Sequence, residues 1–196
     1  MKENENERLM LFSDAVIAIT ITLLVLDMRL PETETKLTDA ALWEALVGLT
    51  PQLVAYILSF LVIGVFWLGH RSKFEHIVRH SPVLVWINLI FLLEIGLMPF
   101  VTGVLAESGG ALATMLYAAA VSVISLTAAA MSWYALKAGL TDLSSTRSGT
   151  IVWPILAPAA VFLSSIAIAP FSVQLAQLFW LMLIPASILS GRFSRR

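Results

Sequence analysis

The chain has 196 residues, of which 59% are hydrophobic and only 13% charged, with a formal net charge of −1 and no cysteine. A soluble domain of ordinary composition carries about a quarter charged residues, so the composition points to an all-α, polytopic membrane protein. Near-neutral charge removes any bulk attraction to nucleic acid, and the lack of cysteine excludes disulfides and thiolate metal sites.

A bilayer-spanning helix needs about 20 mostly apolar residues. Six runs meet this roughly, at about 9–30, 41–68, 83–106, 111–136, 151–169 and 173–189. The connections are short and no internal repeat is visible. One six-helix unit over 1–196 is therefore expected, rather than two fused halves. The first run lacks a small-residue cleavage site before Pro31, so no cleavable signal is expected. Ten of the 12 Lys and Arg residues precede the first run, follow the last, or lie in the second and fourth loops; Arg29 and Lys36 are the exceptions. Basic residues favour the cytosolic face, which predicts cytosolic N- and C-termini.

The first run opens as Arg8-Leu-Met-Leu-Phe12-Ser13-Asp14 before a smooth Ile/Leu/Thr stretch. Arg8 and Asp14 are six residues apart, about 9 Å along a helix and about 240° around it, so each faces a different neighbour. Arg8 and Phe12, at i and i+4, share a face suited to a cation–π contact. Ser13 and Asp14 read either as an N-cap or as part of an interhelical network; Arg8 alone would also snorkel to headgroups. Beyond them, Ile19, Leu23, Leu26 and Leu30 form one stripe, flanked by Thr20 and Thr22. Such a stripe faces lipid, other helices, or a conduit gated by dewetting. Asp27, with Glu32 and Glu34, is either solvated or concentrates cations at the outer mouth.

The second run ends in Phe66-Trp-Leu-Gly-His70, with Phe66, His70 and Phe74 on one face. His70 reads as a proton acceptor, a partner for Asp14, or an interfacial histidine, and Trp67 as an aromatic-belt residue. In the third run, Glu94 lies mid-span, where a carboxyl must be protonated, paired or wetted. Asn88 reads as interhelical glue of modest strength. The fifth and sixth runs carry Pro154, Pro158 and Pro185. There is no HExxH spacing, no nucleotide-binding GxxxxGK, no carbonyl filter of the TVGYG kind and no arginine-rich voltage sensor. No cofactor, metal site or enzymatic activity is expected.

The Arg-x-x-x-Phe-Ser-Asp pattern of residues 8–14 heads a six-run chain. Together with Phe66–His70 and the Asn88…Met98-Pro99-Phe100 segment, it resembles the transmembrane protein 175 family of potassium channels. The resemblance implies a passive, potassium-preferring, leak-type channel of the bacterial single-unit type. Such a channel would be a homotetramer in the plasma membrane, with helix one lining a central pore. It implies that Ile19 forms the hydrophobic constriction, with Leu23 and Leu26 on the next turns, and that a nearby hydroxyl, Thr20 or Thr22, supports potassium preference. It further implies that Arg8, Phe12, Ser13 and Asp14 form an interhelical network with Trp67 and His70 as partners. No family role attaches to Glu94. Two rival readings remain: a proton-coupled transporter using Asp14, His70 and Glu94, and a membrane scaffold that transports nothing.

Overall fold

A computed structural model describes residues 3–30, 38–79, 81–142 and 148–180. The described residues are helical apart from short connections and one isolated antiparallel bridge, Ile77 with Thr141. Four helical stretches are long and apolar enough to cross a membrane: Asn6–Leu26, Thr50–Phe74, Pro82–Ser108 and Ala111–Lys137.

The first helix, α1, runs Glu3–Leu23 and tightens into a 3-10 turn over Leu24–Asp27. It starts six residues before the apolar run, so Ser13 and Asp14 sit well inside it and the N-cap reading is removed. Ser13, Ile17, Thr20 and Leu24 recur every three or four residues and form its buried face.

The second predicted run is two helices. The short α2 (Asp39–Gly48) is capped by Thr38, whose Oγ1 accepts from the Ala41 N–H at 3.3 Å. No residue of α2 is buried. α3 (Thr50–Phe74) begins one residue later, with Pro51 in its first turn. Pro51 brings no N–H to the Val47 carbonyl. The Thr50 hydroxyl donates to that carbonyl instead, at 2.6 Å. α3 also continues six residues past the end of the apolar run. Its polar last turns, His70 to Lys73, lower hydropathy without breaking helical periodicity.

The third run is likewise divided, into α4 (Pro82–Gly96) and α5 (Met98–Ser108), with Pro99 in the first turn of α5. α5 ends at Gly109, whose φ of +57° is the left-handed conformation that glycine adopts cheaply. The long α6 (Ala111–Lys137) follows. Its buried face is mostly small: Ala113, Ala118, Ser122, Ser125, Ala128 and Ser132. Small side chains let helix backbones approach closely in a bilayer, and α6 packs on α4, α5 and α7 (Ser148–Ile168). The side chains of 148–157, with Pro154, lie outside the described residues, as do 181–196, which include Pro185 and the end of the sixth predicted run. α8 (Val173–Trp180) seats Trp180 against Tyr117 and Phe162.

At the end of the bundle where α1 begins, which also carries Arg71, Lys73, Arg79 and Lys137, the turn after α3 is zipped to the turn after α6. Val78 N–H donates to the Leu140 carbonyl at 2.8 Å and Asp142 N–H to the His76 carbonyl at 3.2 Å. His76 Nδ1 and Asp142 Oδ1 lie 3.4 Å apart. Asn6 of α1 joins them through its side-chain amide, which donates to the Ile77 carbonyl at 3.4 Å.

Candidate functional site

α1 has two unlike sides. Its inner side is held by polar bonds from α3 and α4. The Asn88 amide of α4 donates to Ser13 Oγ at 2.9 Å, and Ser13 passes its own proton to the Leu9 carbonyl at 2.8 Å. The Asn88 carbonyl oxygen lies 2.7 Å from His70 Nε2 of α3. Since that oxygen only accepts, the histidine proton sits on Nε2. The ring is fully buried and stacked between Phe74, at 4.4 Å, and Phe91, at 5.3 Å. Its Nδ1 has no partner. A second bond stands beside this chain: Trp67 Nε1–H donates to Asp14 Oδ1 at 2.8 Å.

The expected network is therefore two sets of bonds. Ser13 and His70 meet through Asn88, and Asp14 meets Trp67 rather than His70. Trp67 also carries the Arg71 guanidinium over its ring at 5.9 Å. Arg8 and Phe12 stand apart, exposed on the outer side of α1, with no hydrogen bond or ring contact among the described residues. Asn88 was underrated in the sequence. It is fully buried and touches both neighbouring helices, and only its mid-span polarity pointed to it.

The outer side of α1 carries the apolar stripe. Ile19 and Leu26 are each 58% exposed, and Leu23 and Leu11 are also uncovered. The two threonines separate. Thr20 is buried and donates back to the Val16 carbonyl at 2.9 Å. Thr22 lies on the uncovered side, its hydroxyl bonded to the Ile19 carbonyl at 2.7 Å. Asp27 ends the 3-10 turn; its side chain, and Glu32 and Glu34, lie outside the described residues.

Glu94, on the same helix as Asn88, bonds to neither set. Its Oε1 accepts from the Thr127 hydroxyl of α6 at 2.8 Å, while Oε2 is buried without a partner. Asp14, His70 and Glu94 thus each bond to a different non-ionisable group and not to one another. Two further ties escaped the sequence reading because nothing local announces them. Lys73 Nζ donates to the Ala128 carbonyl of α6 at 2.9 Å. Thr102 Oγ1, Ser59 Oγ and Tyr117 OH form a buried hydroxyl chain with steps of 2.7 and 3.1 Å.

The anchors carry a direct expectation. Trp67→Phe removes the donor to Asp14, and Asp14→Ala removes the acceptor. Each should lower stability in detergent by about 1–2 kcal/mol. Asp14→Asn keeps an acceptor oxygen and should cost less. Thermal unfolding of the three purified variants checks the order.

Four helices long and apolar enough to cross a membrane, with large apolar side chains facing outward along most of them, define a polytopic membrane protein. The family profile described as "Endosomal/lysosomal potassium channel TMEM175" matches residues 8–99. A potassium channel of Streptomyces collinus is 37% identical over 158 residues, spanning 80% of this chain and 73% of that protein. The mouse endosomal/lysosomal proton channel TMEM175 is 34% identical over 98 residues, which is 47% of this chain and 20% of that protein. Among solved structures, a lysosomal potassium-selective channel TMEM175 homolog from Chamaesiphon minutus superposes with a TM-score of 0.83 at 26% identity, covering 95% of this chain and 98% of that one. The chain belongs to the TMEM175 family.

Proposed function

We propose that the chain is one subunit of a passive, potassium-preferring channel. Four copies, each a single six-span unit with cytosolic termini, meet around a central pore in a bacterial plasma membrane. The observation that carries this reading is the uncovered face of α1, on which Ile19, Thr22, Leu23 and Leu26 stand together. Polar bonds to α3 and α4 fix the helix from behind, so this face has a set orientation but no partner within the chain. Relatives in bacteria named as potassium channels support the choice of ion.

In this arrangement a ring of Ile19 side chains narrows the path and resists water, which is how apolar constrictions gate. Leu23 and Leu26 extend the apolar wall, and Asp27 raises cation concentration at the mouth. Thr22, on the uncovered face, is the hydroxyl next to the constriction, whereas Thr20 packs into the bundle. Thr22→Ala should therefore lower the preference for potassium over sodium, and Thr20→Ala should leave it nearly unchanged. Reversal potentials under bi-ionic conditions compare the two.

The defining experiment is reconstitution of the purified protein in liposomes, with potassium, sodium and proton fluxes measured under a set voltage. Potassium flux well above sodium flux supports the channel. Uphill, proton-dependent flux would favour the transporter, and no flux at all the scaffold. The proton arm matters because animal relatives are named proton channels. Against a relay in this chain stands the separate bonding of Asp14, His70 and Glu94.

A further inference from the structure

The zipped turns at the basic end hold a second cation beside the last turn of α6. The Arg79 N–H donates to the Leu140 carbonyl at 3.2 Å, and the Leu140 N–H folds back to the Ala135 carbonyl at 2.9 Å. The Ser81 and Tyr134 hydroxyls, 2.8 Å apart, fix the start of α4 to the same turn. In that turn Lys137 lays its ammonium over the Trp133 ring, 4.7 Å from the centroid. Trp133 is 57% exposed and ends an uncovered side of α6 that also carries Val123 and Leu126.

The acids of these turns are engaged elsewhere. Glu75 pairs with Arg71 at 3.1 Å, and Asp142 faces His76 at 3.4 Å. Among the described residues no carboxylate pairs with Arg79 or Lys137, and both side chains are exposed. A tryptophan where an apolar helix side meets a charged end stands at headgroup depth. Its ring attracts and restrains the ammonium above it. The lysine charge is therefore held at headgroup depth over an apolar strip, with the Arg79 backbone fixed beside it. A soluble anion would use the charges alone. A phospholipid uses both, since its phosphate meets the cations and its acyl chain covers the strip.

We propose that this corner binds one anionic phospholipid. Lys137 and Arg79 take the headgroup phosphate, Trp133 lies beneath it, and an acyl chain runs along Leu126 and Val123. No part of the surface lies on α1, so the proposal is independent of the pore and of the ion it passes.

The test is thermal unfolding of the purified full chain in detergent micelles doped with phosphatidylglycerol or with phosphatidylcholine, with retained lipid counted by native mass spectrometry. Phosphatidylglycerol should raise Tm saturably over phosphatidylcholine and stay bound in the gas phase. Lys137→Gln and Arg79→Gln should each weaken that binding about fivefold, as the loss of one basic contact to an anionic lipid implies. Trp133→Leu keeps an apolar side chain but frees the lysine, and should weaken it less. Arg29→Gln, which removes a charge at the opposite end, should leave it unchanged. Equal behaviour in the two lipids overturns the proposal. So does an effect that survives in Lys137→Gln, or one lost equally in Arg29→Gln, which makes it a matter of net charge. An equal rise in Tm with inorganic phosphate alone also overturns it, since the lipid chain then contributes nothing. Lys137 and Arg79 are exposed, so these changes leave the fold intact.

Discussion

Ile19→Asn should raise sodium and caesium flux relative to potassium, and raise total current. In the proposed four-fold assembly, a ring of four isoleucines would oppose a hydrated ion because its walls offer no hydrogen bonds, so the ion would shed water without compensation. Asparagine has nearly the same reach but supplies a carbonyl and an amide that hold water in the constriction. Each 1.4 kcal/mol or so removed from the barrier gives about a tenfold gain in rate. With four copies around one pore, as proposed, four altered side chains would act on one ion and make a gain of that order the expected minimum. Ions excluded by dehydration gain most, so discrimination should fall as current rises. Whole-cell or bilayer recordings with paired cations measure both. Unchanged current and reversal potential in a normally expressed variant would show that Ile19 lies off the path.

The largest stability effect is expected at Asn88→Leu. Leucine is close to asparagine in size but leaves His70 Nε2–H without its acceptor and Ser13 without its donor. His70 Nδ1 already lacks a partner, so the ring would be buried with neither nitrogen bonded. At about 1–3 kcal/mol for each stranded buried group, the cost is about 2–4 kcal/mol. That is a large share of the 5–15 kcal/mol or so that holds a typical protein folded. The expected result is a marked fall in Tm and in the yield of assembled protein. The double variant His70→Leu with Asn88→Leu removes the stranded N–H along with its acceptor. It should recover part of the loss, because deleting both partners of a buried bond is much cheaper than deleting one. A double variant no better than Asn88→Leu alone would show that the bond to His70 is not what the asparagine contributes.

Much of the fold could be read directly in the sequence, because a bilayer filters for long apolar runs and short connections. Four stretches long and apolar enough to cross a membrane lie within or overlap the first four predicted runs. The breaks at Leu49 and Leu97 were harder to read, since a proline in a first turn is compatible with an unbroken helix as well as a new one. The candidate site divides the same way. Ser13, Asp14, Trp67 and His70 stood out because polar groups in a membrane need partners, and each has one. Which partner each would find was not legible. Trp67 reaches Asp14 across 53 positions of sequence and Asn88 reaches Ser13 across 75. Such pairings depend on how helices pack, which no local pattern encodes. That Thr20 is buried and Thr22 exposed likewise depends on which side of α1 the bundle covers.

The zipped turns at the basic end bear on how the chain is made. The backbone groups of His76 and Val78 pair with Leu140 and Asp142, and those residues leave the ribosome only after α4, α5 and α6 have been synthesised. Until then the Val78 N–H and the His76 carbonyl at the corner after α3, to which Asn6 also bonds, lack these partners. Insertion intermediates that precede the fourth long helix are therefore expected to lack this closure, which would register that helix's arrival.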